Sequence, residues 1–303
     1  MNVLMAGGSG LIGSRLTQNV LQAGNKVWIL SRYPERMRQA QGIQAVGWDA
    51  ATPRGWGGLV EQMDVVINLT GENLGAGRWT AARRASFYSS RVNSGKALVA
   101  AIAQSGSKPK VVVQASAVGY YGDGGDQELD EQCPPGSDSL AQLCVDWENS
   151  TRAVEDLGVR RVVIRTGVAL APHAAVFKRL TLPFKLFVGG PIGSGRQWLP
   201  WIHLDDVVAA IRFLIDDPAA SGAYNLTSPQ PMRNAEFGKT LAKAMRRPYW
   251  MPVPGFALRL ALGEMSRLVL EGQRALPHRL LAAGYVFRYE QLEAVLSDLL
   301  VKD

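Results

Sequence analysis

The chain has 303 residues, enough to bury a large core as one big domain or as a domain with an appendage. With 47% hydrophobic and 19% charged residues it has the composition of an ordinary globular protein, and two cysteines, Cys133 and Cys144, argue against a disulfide framework. The net charge of +7 would suit nucleic acid, but the basic residues form no long tract and no nucleic-acid motif is present, so a phosphorylated small molecule is the preferred partner.

The N-terminal MNVLMAGGSG has no basic stretch ahead of its apolar residues, unlike a signal peptide, and no apolar run approaches the roughly 18 residues that span a membrane. A cytoplasmic protein without a membrane partner is expected. NVLMA (2–6) has the pattern of a buried strand, and SRLTQNVLQAG (14–24) that of an amphipathic helix with Leu16, Val20 and Leu21 inward and Gly24 near its C-cap. KVWILS (26–31), a polar helix from Pro34, IQAVGW (43–48) and DVVINL (64–69) follow. A long helix is predicted over 80–105, a strand at KVVVQAS (110–116), a helix over 139–157 and a strand at RRVVIRTG (160–167). Apolar strands separated by helices predict an α/β fold: a doubly wound parallel sheet of Rossmann type, with sites outside the carboxyl ends of the strands.

After residue 168 the alternation stops. A Gly-rich apolar segment (183–200) precedes a helix over 206–216 with Asp205 as N-cap, and another helix starts near Asn234. From Pro248 two further helical patterns and a final amphipathic helix bearing Leu292, Val295, Leu296 and Leu299 suggest a smaller, mostly helical lobe. The expected division is a nucleotide-binding domain over 1–167 and a substrate lobe over 168–303, some of whose elements return to the main sheet.

GGSGLIG (7–13) joins the first strand to the first helix and contains G-x-G-x-x-G at Gly8, Gly10 and Gly13 as well as the wider spacing Gly7, Gly10, Gly13. A dinucleotide needs this: a tight turn, backbone amides open to the diphosphate, and a helix packed closely on its strand. An acidic residue at the end of the second strand would favour NAD. Here the strand ends in Ser31 and Arg32, with Arg36 and Arg38 beyond, a hydroxyl and a guanidinium suited to a 2′-phosphate. The cofactor expected is NADP(H). Ordinary solvated basic turns can look the same.

ASAVGYYG (115–122), with LTGE (69–72), RTGV (165–168) and WIHLDDV (201–207), completes a pattern that resembles the extended short-chain dehydrogenase/reductases. RW…SR (78–91), LC…WE (143–148), GGPIGSGRQ (189–197) and the C-terminal GEMSRLVLEGQRALP (263–277) narrow the resemblance to an epimerase-like family. It covers essentially the whole chain and implies a Rossmann-type fold, NADP(H) binding and a substrate not yet assigned. The resemblance also puts cofactor contacts at Gly7, Gly10, Leu11, Ile12, Gly13, Ser31, Arg32, Leu69, Thr70, Gly71, Arg91 and Val168. Arg91 can equally be one more exposed arginine beside Arg83 and Arg84.

Catalytic members of that superfamily place a serine after the fifth strand and a Tyr-x-x-x-Lys on the next helix. Ser116 matches the serine. The helix reads LAQLCVDWENSTRAV, with Cys144 and Glu148 where the tyrosine and lysine would stand. A glutamate beside a phenol would raise its pKa, not lower it. Tyr120, Tyr121 and Glu72 remain as candidate acids and bases, against the alternatives of packing beneath a loop and of a hydrogen-bonding carboxylate. Cys144 is read as core. Arg196 and Trp201, in and after GGPIGSGRQWLPW (189–201), are candidate substrate contacts for an anionic small molecule, while a pinned hairpin is the alternative. His203, Asp205 and Asp206 match no metal-ligand pattern, and no metal is expected. Two functions stay open: an NADP(H)-dependent oxidoreductase or epimerase acting on a small polar substrate, which is preferred, and a non-catalytic NADP(H)-binding redox sensor.

Overall fold

The computed structural model describes residues 1–37 and 42–301. The apolar runs of the sequence become one wholly parallel sheet of seven strands: β1 (Asn2–Ala6), β2 (Lys26–Ser31), β3 (Ile43–Gly47), β4 (Val65–Asn68), β5 (Val111–Ala117), β6 (Arg160–Thr166) and β7 (Gly222–Leu226). Their order is β7-β6-β5-β4-β1-β2-β3. The chain therefore builds outward from β1 to β3, then crosses to β4 on the other side of β1. That reversal opens a crevice at the carboxyl ends of β1 and β4, where ligands of such sheets bind.

Alternation along each strand supplies two cores. Val3 and Met5 join Ile29, Ile67, Val113 and Ile164 on one face, under the helices α1 (Leu11–Gln22) and α5 (Leu204–Asp216). Leu4 and Ala6 face the other way, with Trp28, Val66 and Val112, against Ala97, Leu98, Ala101 and Ile102 of α2 (Ala81–Gln104). Each fully buried Val, Leu or Ile contributes about 1.5–3 kcal/mol, so these two layers dominate stability. A third core, away from the sheet, packs α4 (Ala175–Lys185) and α6 (Asn234–Met245) with Leu292, Val295, Leu296 and Leu299 of the terminal helix Leu292–Val301. β7 comes from the C-terminal half and pairs with β6, so that half does return a strand to the main sheet.

Three local expectations are corrected by side-chain chemistry. The helical pattern over 139–157 is split: α3 (Ser139–Asn149) ends where Ser150 Oγ donates to Trp147 O (2.6 Å) and Thr151 Oγ1 to Glu148 O (3.4 Å), and a separate 3₁₀ stretch follows at Arg152–Leu157. The cap of α5 is His203, whose Nδ1 accepts from Asp205 N (3.1 Å); Asp205 instead pairs with Arg15 (2.8 Å). The polar helix from Pro34 is a single 3₁₀ turn, Pro34–Arg36; its continuation and Arg38 lie outside the described residues. Among the described residues no helix is long and apolar enough to cross a membrane.

Candidate cofactor cleft and adjoining cavity

A cleft of about 550 Å³ opens at the β1–β4 crevice. Gly7 has φ +83°, and a Cβ there would lie 2.6 Å from Leu69 O; a Cβ on Gly13 would lie 2.3 Å from Gly7 O. Only glycine allows the loop to turn this tightly and α1 to approach it. Gly10 closes the turn by donating to Gly7 O (3.1 Å) and stands at the N-cap of α1, where no side chain caps the helix. The first amides and the positive end of the helix are thus left for an anion. The half-buried side chains of Leu11 and Ile12 pack against the hydrophobic cores, and their backbone amides lie in the first turn of α1.

At the far end, Ser31 and the exposed Arg32 line the cleft together with Tyr33, Trp48 and Asp49. Asp49 is rigidly held: its carboxylate accepts from Ala51 N (2.8 Å), Thr52 N (2.7 Å) and Thr52 Oγ1 (2.7 Å). Those bonds bring its pKa down to about 2. Leu69, Thr70, Gly71 and Glu72 form the opposite wall with Ser86, Ser89, Ser90 and Asn93 of α2. Glu72 is committed to its neighbours: it pairs with Arg83 (3.2 Å) and accepts from Ser86 Oγ, while its own amide donates to Ser90 Oγ (3.1 Å).

Gly71 leads to the second cavity, because a Cβ on it would meet the Arg91 guanidinium carbon at 3.0 Å. That cavity, about 230 Å³, is lined by Arg91, Val118, Leu143, Cys144, Trp147 and Val168 together with Trp198, Leu199 and residues of the C-terminal segment, among them Arg267 and Gln273. Arg91 is therefore not an exposed arginine; it is 8% exposed, stacks on the Trp147 ring (4.8 Å) and donates to Phe87 O (3.3 Å) and Glu72 O (3.1 Å). Burial pushes the Cys144 thiol up to about 12, with the Glu148 charge adding to the effect, so it is no nucleophile at neutral pH.

Ser116 does not face this cavity. Paired in register, Ser116 of β5 and Arg165 of β6 are neighbours across the sheet, and Glu148 of α3 meets both. Ser116 Oγ donates to Glu148 Oε1 (2.7 Å), and Arg165 grips the same carboxylate through Nε (2.9 Å) and Nη2 (3.0 Å). Arg165 Nη1 also donates to Tyr121 OH (3.1 Å), which in turn donates to Asn225 Oδ1 (2.7 Å), and the guanidinium lies 3.4 Å from the Tyr120 ring centre. Burial raises the Tyr121 pKa to about 12 despite Arg165. Of the four catalytic candidates only Glu72 lines a cavity; Ser116 and Tyr121 are buried in a strut joining β5, β6, α3 and β7, against which the half-buried Tyr120 packs.

The substrate candidates Arg196 and Trp201 also lie elsewhere. Trp201 is fully buried, with Nε1 donating to Gln230 O (3.1 Å), and Arg196 is exposed and lines neither cavity. The 189–197 segment is pinned to the C-terminal stretch: Gly193 N donates to Val253 O (2.8 Å) and Gln197 Nε2 to Val269 O (2.9 Å). Trp198, not Trp201, joins Trp147 in the cavity wall; the Arg233 and Arg274 guanidiniums stack on the Trp198 ring. His203 is a buried cap, and no three His, Cys, Asp or Glu residues are grouped to hold a metal among the described residues. Sequence reasoning missed Trp48, Asp49, Ser86, Ser90 and Asn93. The last three were legible as a small polar stripe, three to four residues apart on the helix predicted over 80–105.

A parallel sheet of this order with a glycine cradle at its topological switch point defines a Rossmann-type nucleotide-binding protein. The chain belongs to the NAD dependent epimerase/dehydratase family, whose model matches residues 3–227, and residues 253–299 match a domain of unknown function, DUF1731. It is 39% identical over 303 residues to the epimerase family protein YfhF of Bacillus subtilis, covering 99% of this chain and 98% of that one. It is 38% identical to the Staphylococcus aureus epimerase family protein SAR0825, covering 99% of both. Among solved structures, the human epimerase family protein SDR39U1, crystallised with NADPH, superposes with a TM-score of 0.88 at 32% identity over 99% of both chains. A nucleoside-diphosphate sugar epimerase from Corynebacterium glutamicum gives 0.78 at 31% identity, over 100% of this chain and 59% of that one.

Proposed function

We propose that the protein is an NADP(H)-dependent oxidoreductase or epimerase-like enzyme acting on a small molecule held in the cavity beside Arg91. The observation that carries the reading is the cradle: Gly7 and Gly13 leave no room for a Cβ, and the cleft they open ends at Ser31 and Arg32 with no acidic residue closing β2. These residues fit the cofactor. The loop amides and the start of α1 would hold its diphosphate, Ser31 and Arg32 its 2′-phosphate, and Trp48 with Asp49 would flank the adenine end. Bound there, the cofactor would supply hydride to a carbonyl carbon or, in its oxidised form, accept it from the corresponding alcohol carbon. The co-crystallisation of SDR39U1 with NADPH supports the same assignment, although the family description names NAD.

The chain's own residues would divide the remaining work. Val168, Trp147, Leu143 and Leu199 would give a substrate an apolar wall in the second cavity, and Arg91 would supply positive charge at its junction with the cleft. Neither Ser116 nor Tyr121 is free to move a proton while bonded in the strut. That observation favours a second reading, a non-catalytic NADP(H)-binding protein. A screen of NADPH-loaded protein against a carbonyl library decides between them: consumption of NADPH with any compound supports the enzyme, and binding without turnover across the library supports the sensor.

A further inference from the structure

We propose that the second cavity is a carboxylate-binding subsite, in which the Arg91 guanidinium and the Trp147 Nε1–H hold the acid group of a small substrate whose body is otherwise apolar. The NADP(H) reading enters only through the cavity's position beside the cofactor cleft; recognition of the anion follows from the charges of the wall itself. Every carboxylate nearby is already paired with a cation other than Arg91. Asp138 and Glu271 share Arg267 (3.3 and 2.8 Å), Glu148 has Arg165 (2.9 Å) and Glu72 has Arg83 (3.2 Å). Arg91 is left over. It is buried, its two bonds go to backbone carbonyls, and among the described residues no carboxylate forms an ion pair with it.

A desolvated guanidinium without a counter-ion is costly, and burial pulls the Arg91 pKa down from its ordinary value. Beside it, Trp147 Nε1 is buried with no acceptor, although the residue is only 7% exposed. Buried donors are ordinarily satisfied, so an unanswered indole N–H beside a guanidinium that bonds only to backbone carbonyls and has no paired carboxylate points to a ligand that supplies acceptors and a negative charge. A carboxylate has two acceptor oxygens and a charge, and answers both; a neutral amide answers the donors without the charge. Val118, Leu140, Leu143, Val168, Leu199 and Leu268 make an apolar wall that suits a hydrocarbon body, while Asp138, Glu271, Arg267 and Gln273 form a polar side of the cavity. At about 230 Å³ the cavity falls below the roughly 300–1,000 Å³ typical of drug-sized ligands, which excludes a nucleotide sugar lying wholly within it.

The other source of an oxyanion is the cofactor itself, since Arg91 lies directly behind Gly71 of the cleft wall. Calorimetric titration of the full-length protein, with and without NADPH, against acetate, benzoate and phenylacetate and their neutral amides separates the two. The expected result is at least a tenfold preference for one acid over its amide. Arg91→Gln should abolish that preference and Trp147→Phe reduce it severalfold, with NADPH affinity and melting curves recorded for each variant. The proposal is overturned if no acid is preferred, if the preference survives Arg91→Gln, or if that change weakens NADPH tenfold while leaving the acid–amide ratio intact. Should Arg91→Gln fail to fold, Trp147→Phe decides by the same ratio. Failure of the wild-type protein to bind NADPH sinks the cofactor reading alone, and the titration without NADPH still decides the subsite.

Discussion

Replacing Glu148 tests whether the Ser116 cluster is a strut or a catalytic apparatus. Glu148 is 9% exposed and accepts one bond from Ser116 and two from Arg165, itself 5% exposed. Removing one partner of a buried pair strands the other charge and costs about 3–5 kcal/mol. At about 1.6 °C per kcal/mol for a chain of this size, Glu148→Gln should lower Tm by about 5–8 °C. Replacing both partners, as Glu148→Leu with Arg165→Met, removes the stranded charge and should recover much of that loss. Ser116→Ala deletes a single bond to a charged group and should cost about 1.5–3 kcal/mol, less than Glu148→Gln, leaving NADPH binding and any turnover unchanged. The assay is thermal denaturation followed by circular dichroism, with NADPH affinity measured on each variant. A fall of less than 2 °C or so for Glu148→Gln, or a double variant no more stable than the single one, would refute the reasoning. Loss of turnover in a stably folded Ser116→Ala would return the serine to catalysis.

Gly13→Ala puts a Cβ 2.3 Å from Gly7 O and should weaken NADPH binding by about tenfold or more, read by fluorescence titration. Arg32→Ala should weaken NADPH by about tenfold and leave NADH unchanged, since only the 2′-phosphate is lost; an unchanged NADPH:NADH ratio would contradict the assignment. Cys144 and Tyr121 have folded pKa values raised to about 12, above their ordinary 9.0 and 10.0, so the folded state holds these protons more tightly. Their stabilising contribution is present below pH 9 and lost as pH rises from 9 towards 12, by up to about 1.4 kcal/mol per pH unit for the almost fully buried thiol. Tm should therefore fall between pH 9 and 11, less steeply in Cys144→Ala; an equal slope would count against the buried thiol.

The strands of the sheet were legible because buried parallel strands are continuous apolar runs, as in NVLMA and KVVVQAS. The glycine cradle was legible because Gly7, Gly10 and Gly13 answer steric demands that the adjoining strand and helix impose. What the sequence could not give was direction and partner. Ser116 stands at the expected strand end, yet its hydroxyl is committed to Glu148 because the register puts Arg165 beside it. That pairing spans 49 residues along the chain and has no local signature. Trp201 and Trp198 are three residues apart in one segment, and only packing makes the first core and the second a wall of the cavity. Arg91 looks like any helix-surface arginine until α3 brings Trp147 against it.

The most direct test of the central claim is titration of purified, cofactor-stripped full-length protein with NADPH and with NADH, followed by nucleotide fluorescence. The account predicts saturable binding of NADPH at least tenfold tighter than that of NADH. Equal affinities would contradict the role of Ser31 and Arg32, and absence of binding to either would contradict the reading of the glycine loop itself.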